Sequence, residues 1–256
     1  MINRIRTFIR KRIEKRKQRS RLHRFANRLV MILGGCYLLL AFFPHPVFAY
    51  STEVGPFQIH SDRPIPREIE DVLALTRERV ENSPLFEAGD RFPIFLAADP
   101  WRRRLLNPRA SRAFGAAFVM TGNTVLNRTD IPANTCFNDR KRYNQRLLHE
   151  VIAHECTHHL LARRLGLLRY LRLPHWKNEG YCEYVAGGST FSEAKGLELL
   201  KAGRADDAPA FRYLTYRLAT THHLEHLGKE PQEFLETKLD LDASLNAFVA
   251  TRSRSQ

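Results

Sequence analysis

His154-Glu155-Cys156-Thr157-His158-His159 (HECTHH) is the stretch on which the reading of this chain turns. His154 and His158 are four apart, so on an α-helix both imidazoles leave the same face one turn apart. Two ligands of one metal ion need that placement. Glu155 stands beside them, close enough to meet a metal-bound water without being a ligand itself. In a 256-residue chain with 11 His, HExxH arises by chance only about 0.03 times. Leu147, Val151 and Leu161 are expected on the histidine face, which predicts that it is buried. Burying two imidazoles beside a carboxylate is costly unless something binds them.

A tetrahedral catalytic zinc takes three protein ligands and keeps a fourth position open. The run Trp176-Lys177-Asn178-Glu179-Gly180-Tyr181-Cys182-Glu183-Tyr184 offers Glu179 as the third. Twenty residues separate it from His158, room for a helix end, a loop and the start of a second helix. Glu183, one helical turn on, is the rival ligand. If Glu179 binds the metal, Glu183 becomes the carboxylate that orients a ligand imidazole.

HExxH followed by W-x-N-E-G resembles the gluzincin metallopeptidases, the thermolysin and aminopeptidase-N-like enzymes. It is closer still to small bacterial peptidase-MA-like proteins whose helix pair reads HExTH…W…EGxAEY. The resemblance covers about residues 57–235, with its specific core in 154–184, and Cys182 stands where a small residue is usual. It implies a zincin-like fold, zinc held by His154, His158 and Glu179, and Glu155 as general base for attack of water on a peptide carbonyl. It also implies that the strand at 113–118 is the edge on which an extended substrate pairs, and that an acidic residue one turn past the glutamate ligand supports a ligand histidine, the place of Glu183. The chemistry is consistent on general grounds, since zinc acidifies its water and polarises the carbonyl. Tyr213 and Tyr216, one turn apart, are candidates for an oxyanion donor or for core packing.

Around the motif the pattern is α+β. Strands are expected at 57–60, 93–98, 113–120 and 124–127, and a helix at 66–81. Beyond residue 134 helices dominate: 140–165 ended by Gly166, 178–185 ended by Gly187, 192–201, 209–227 ended by Gly228, and one or two more from Pro231. Strands first and helices later predict a small sheet lobe followed by a helical lobe, within one domain spanning 53–250.

The net charge of +14 suggests a nucleic-acid binder until it is divided. Residues 1–49 carry 12 Lys/Arg against Glu14 alone, whereas the other 29 Lys/Arg face 26 Asp/Glu. The folded part is thus nearly neutral, without the basic face that nucleic acid requires. Residues 1–28 read as a basic cytoplasmic tail and 29–49 as a transmembrane anchor or signal segment, stopped by Pro44 and Pro46. The uncharged run at 29–43 spans only about 22 Å, and starting it at Phe25 lengthens it at the cost of Asn27 and Arg28. Either reading sends the remainder across the membrane. An anchor leaves an extracytoplasmic domain on the membrane; cleavage after Ala49 makes the protein secreted or periplasmic.

Of four cysteines, Cys36 lies in the apolar run, leaving Cys136, Cys156 and Cys182, with a Cys156–Cys182 bridge conceivable. His222-His223-Leu224-Glu225-His226 matches the inverted motif H-x-x-E-H, but only 30 residues follow it. It is read as an exposed polar helix face, or at most a contributor to the cleft. The expectation is a membrane-associated zinc peptidase acting on a peptide or protein substrate. The alternative is a zinc-containing binding module of the cell envelope that does no chemistry, against which the intact Glu155 speaks.

Overall fold

The computed structural model describes residues 23–107 and 112–254. Most of the expected cytoplasmic tail, residues 1–22, lies outside the described residues. The chain divides into two units, Met1–Pro46 and Val47–Gln256. In the first, helix α1 (His23–Phe42) has a mean hydropathy of 1.7 and contains no buried residue. Its 20 residues rise about 30 Å, long and apolar enough to cross a membrane. It is longer than the uncharged run because Asn27 and Arg28 are taken into it.

The second unit is α+β. Five strands, β1 (Tyr50–Val54), β2 (Phe57–Ser61), β3 (Phe92–Leu96), β4 (Gly115–Phe118) and β5 (Asn123–Leu126), form a mixed sheet in the order β1-β2-β3-β5-β4. The β2–β3 and β3–β5 pairs are parallel, while β1 and β4 are antiparallel edges. Parallel neighbours need a crossover. Helix α2 (Ile69–Glu81) supplies the first, burying Ile69, Val72, Leu73, Thr76 and Val80. Central β3 is covered on both faces, with Phe92, Ile94 and Leu96 in the main core and Phe95 in a smaller cluster with Ala97 and Val125. A short helix, α3 (Pro100–Leu106), follows β3.

A second, three-stranded antiparallel sheet, β6 (Thr129–Asp130), β7 (Thr135–Phe137) and β8 (Gln145–Leu147), leads into helix α4 (Leu148–Leu165). This corrects the expected helix start at residue 140. Arg146 and Leu147 pair with Cys136 and Thr135, so the chain is still extended there. Leu147 is consequently 45% exposed and does not share the histidine face, whereas Val151 and Leu161 are buried as expected. α4 passes through the core, with every residue from Val151 to Leu161 buried. It ends at Gly166 (φ 76°), a conformation that glycine tolerates best.

After α5 (Leu167–Tyr170) comes α6 (His175–Ala186), closed by left-handed Gly187, and then α7 (Glu193–Lys201), α8 (Pro209–Thr221), α9 (Pro231–Glu236) and α10 (Leu241–Arg254). α6 packs on α4 and on α8. At Gly180 a Cβ would sit 2.5 Å from Thr220 Oγ1 and 2.7 Å from the Tyr216 carbonyl, so the α6–α8 approach requires glycine there. α8 stops at Thr221 rather than 227, because residues 222–226 widen into one π-helical turn. His222 and His223 in that turn are buried while Glu225 and His226 are exposed, so the exposed face expected of the second histidine cluster holds only for its second half. Cys136, Cys156 and Cys182 are all free thiols, so the conceivable Cys156–Cys182 bridge is not formed.

Candidate metal centre

Two helices bring the expected ligands together. α4 presents His154 and His158, whose ring centroids are 4.9 Å apart, and α6 presents Glu179 opposite them. Glu179 Oε2 lies 3.2 Å from His154 Nε2 and 3.7 Å from His158 Nε2. Both histidines therefore turn the same ring nitrogen to one carboxylate oxygen. The other nitrogens face inward. His154 Nδ1 is 3.0 Å from Glu183 Oε1, off the line of an aligned hydrogen bond. His158 Nδ1 is 3.0 Å from Asn178 Oδ1, with Cys182 Sγ and the Tyr170 hydroxyl each 3.3 Å away.

Glu183 does not reach both imidazoles. Its Oε1 also accepts from Arg146 Nη1 at 2.7 Å, while Arg146 pairs with Glu150 Oε2 at 3.2 Å and donates to the Gly188 carbonyl. Arg146 was invisible as a partner in the sequence, being assigned to a helix it does not belong to. Asn178 directly precedes Glu179 in the N-E-G run, the sequence signal that marks it.

His154, His158 and Cys182 form the one buried group among the described residues that offers three donor atoms within 4.8 Å of one another, and it could hold a metal ion. Glu179 gives a second way of completing the same histidine pair. The ring nitrogens separate the two sets: Glu179 faces both Nε2 atoms, and Cys182 lies on the Nδ1 edge of His158. Burial and the charges of Glu179 and Glu155 raise the Cys182 pKa, holding it as a neutral thiol.

The electrostatics favour positive charge at the histidine pair. Burial works against charge on His154, but Glu183 and Glu179 overcome it and raise its pKa. Burial would raise Glu179 and Glu183 too. His158 and His154 instead hold Glu179 ionised, and Arg146 and His154 do so for Glu183. Two ionised carboxylates beside two imidazoles, with Glu183 Oε2 lacking any partner, suit a divalent ion. The remaining inward nitrogens have the oxygen neighbours that ligand histidines use to fix their tautomer.

The site opens into a cleft of about 360 Å³ lined by Glu155, Gly115, Tyr170 and Tyr213. Its wall is the edge strand β4, whose outer side has no strand partner among the described residues. Tyr213 has its ring centroid 6.5 Å from that of His154. Tyr216 is buried against His175 and does not line the cleft. His159, the last residue of HECTHH, is a core histidine bonded to Thr124 Oγ1 at 3.0 Å. Burial and Arg163 lower its pKa to about 3, so it stays neutral.

No protein-family model and no curated protein matches the chain.

Proposed function

We propose that the cleft is the active site of a zinc-dependent peptidase of gluzincin type, built on a zincin-like fold. The observation that carries the reading is the convergence of His154 Nε2 and His158 Nε2 on Glu179 Oε2, with Glu155 beside them facing the edge strand. His154, His158 and Glu179 would hold the zinc. When bound, it would polarise a peptide carbonyl and acidify a water. An extended peptide would add to β4 through main-chain hydrogen bonds, which fixes its carbonyl over the site. Glu155 takes the proton of the attacking water and returns it to the leaving amine, since a carboxylate can do both at neutral pH. Tyr213, half-buried on the cleft wall with its phenol kept protonated by burial and by Glu179, would be the donor to the developing oxyanion.

α1 and the basic residues before it support a cytoplasmic N-terminus with the folded unit on the far side of the membrane. A full-length mature chain in the membrane fraction is the outcome expected for an anchor; a soluble chain starting at Tyr50 would show a cleaved signal.

The test of the activity uses the full chain in detergent against a peptide library. Wild type should hydrolyse some peptides in a chelator-sensitive manner. Glu155→Gln should keep zinc and lose about 10²–10⁴-fold in rate. A zinc-loaded wild type that cleaves nothing would favour a binding module instead.

A further inference from the structure

The floor of the cleft is acidic, and its rim is not. Arg112, Arg140 and Arg142 line the cleft beside β4, and among the described residues the carboxylates lining it are Glu155, Glu179 and Glu183. Among the described residues, none of the three arginines makes an ion pair, in contrast to Arg146 deeper in the same cleft.

The loop that carries two of them, residues 138–144, is held in place. Asn138 N–H donates to the Asn144 carbonyl at 3.1 Å, and Asn138 Oδ1 accepts from Arg140 N–H at 2.9 Å. Arg140 Nε donates to the Arg112 carbonyl at 2.8 Å, tying the loop to the residues just before the edge strand. Tyr143 adopts φ 54°, a costly conformation for a side chain of its size, and its ring packs on Phe191 at 5.4 Å. Arg142 lies over that same ring at 5.3 Å. An anchored loop that places guanidinium groups without a carboxylate partner at a cleft suits recognition of a carboxylate, the planar partner arginine favours.

We propose that this rim selects substrates by a carboxylate, so that the cleft takes acidic peptides. Arg112 stands in the turn just before Gly115, which abuts Glu155, so the rim lies next to the proposed base. The carboxylate can be an Asp or Glu side chain or the peptide's own C-terminus. This inference rests on the peptidase reading for the direction of the peptide, and its test separates the two.

Binding of fluorescent hexapeptides is measured with zinc-loaded full-length Glu155→Gln protein, which holds substrate without turnover. An acidic peptide should bind about tenfold more tightly than its Asn/Gln isostere at low salt, as expected of a few exposed pairs, and the gap should shrink as salt rises. Amidated peptides separate the sources: a preference kept on amidation comes from side chains, one lost comes from the terminus. Added Arg142→Glu or Arg112→Glu should abolish the preference, and Arg142→Lys should keep most of it. Equal binding of acidic and neutral peptides, or a preference unmoved by both reversals, overturns the inference. Acidic preference in binding without hydrolysis by the wild type would instead tell against the peptidase reading alone.

Discussion

Gly115 on the edge strand and Glu155 on α4 are in direct apposition: a Cβ at residue 115 would lie 3.1 Å from both Cγ and Oε1 of Glu155, and 2.7 Å from Leu126 Cδ2. The strand that would receive a substrate is thus positioned against the proposed base by the absence of a side chain. Gly115→Val should push the carboxylate aside, cutting hydrolysis at least tenfold while zinc content stays near wild type. Overpacking of this kind costs about 1–3 kcal/mol, readable by denaturant unfolding. Full activity in a folded Gly115→Val protein would show that Glu155 does not act from this position.

Arg146 is the cation that balances Glu183 and Glu150, although burial works against its charge. Arg146→Met removes one partner of a buried network and should destabilise the fold by about 3–5 kcal/mol. Adding Glu183→Gln should recover part of that loss, because one stranded charge is then gone. Equilibrium unfolding of the single and double variants checks this; strictly additive losses would contradict the coupling.

Glu183→Gln alone separates ligand from support. Of the ligand ring nitrogens Glu183 meets only His154 Nδ1, so the variant should keep its zinc and bind it about 10–100-fold more weakly. Metal titration reads this directly. Complete loss of zinc on this substitution would make Glu183 a ligand.

His223 gives a pH dependence away from the centre. Burial, then His222, Lys229 and Lys177, lower its pKa from 6.5 to about 4, and its Nε2 pairs with Ser244 Oγ at 2.8 Å. Because the folded value lies below the unfolded one, its contribution to stability is present above pH 6.5 and falls as pH drops towards 4. His223→Gln should flatten the decline in unfolding free energy between pH 7 and pH 4.5. Parallel profiles for variant and wild type would show that His223 does not set it.

The helical half of this architecture was readable because its signals are local. The four-residue spacing of His154 and His158, the stop at Gly166 and the turn at Gly187 depend on neighbours within one or two turns. The two- and three-residue strands β6–β8 carry no usable period, so residues 140–147 looked like more helix. The π turn at 222–226 and the burial of His222 and His223 within it leave no mark in the residue spacing. The structure sets His154, His158 and Glu179 together, and it adds Cys182 as a further donor beside the histidine pair. His154, His158 and Glu179 announce themselves by type and interval. Arg146 reaches Glu183 from another element, and the Asn178, Tyr170 and Cys182 contacts on His158 follow from how α6 and the loop before it pack.

Zinc stoichiometry across a small set of full-length variants tests the centre most directly. His154→Ala, His158→Ala and Glu179→Gln should each lose most of the metal, while Cys182→Ser should hold about one zinc per chain, because its sulfur lies on the wrong edge of His158. The opposite pattern, with Cys182→Ser emptied and Glu179→Gln fully loaded, would replace the proposed hydrolytic centre with a His154–His158–Cys182 site.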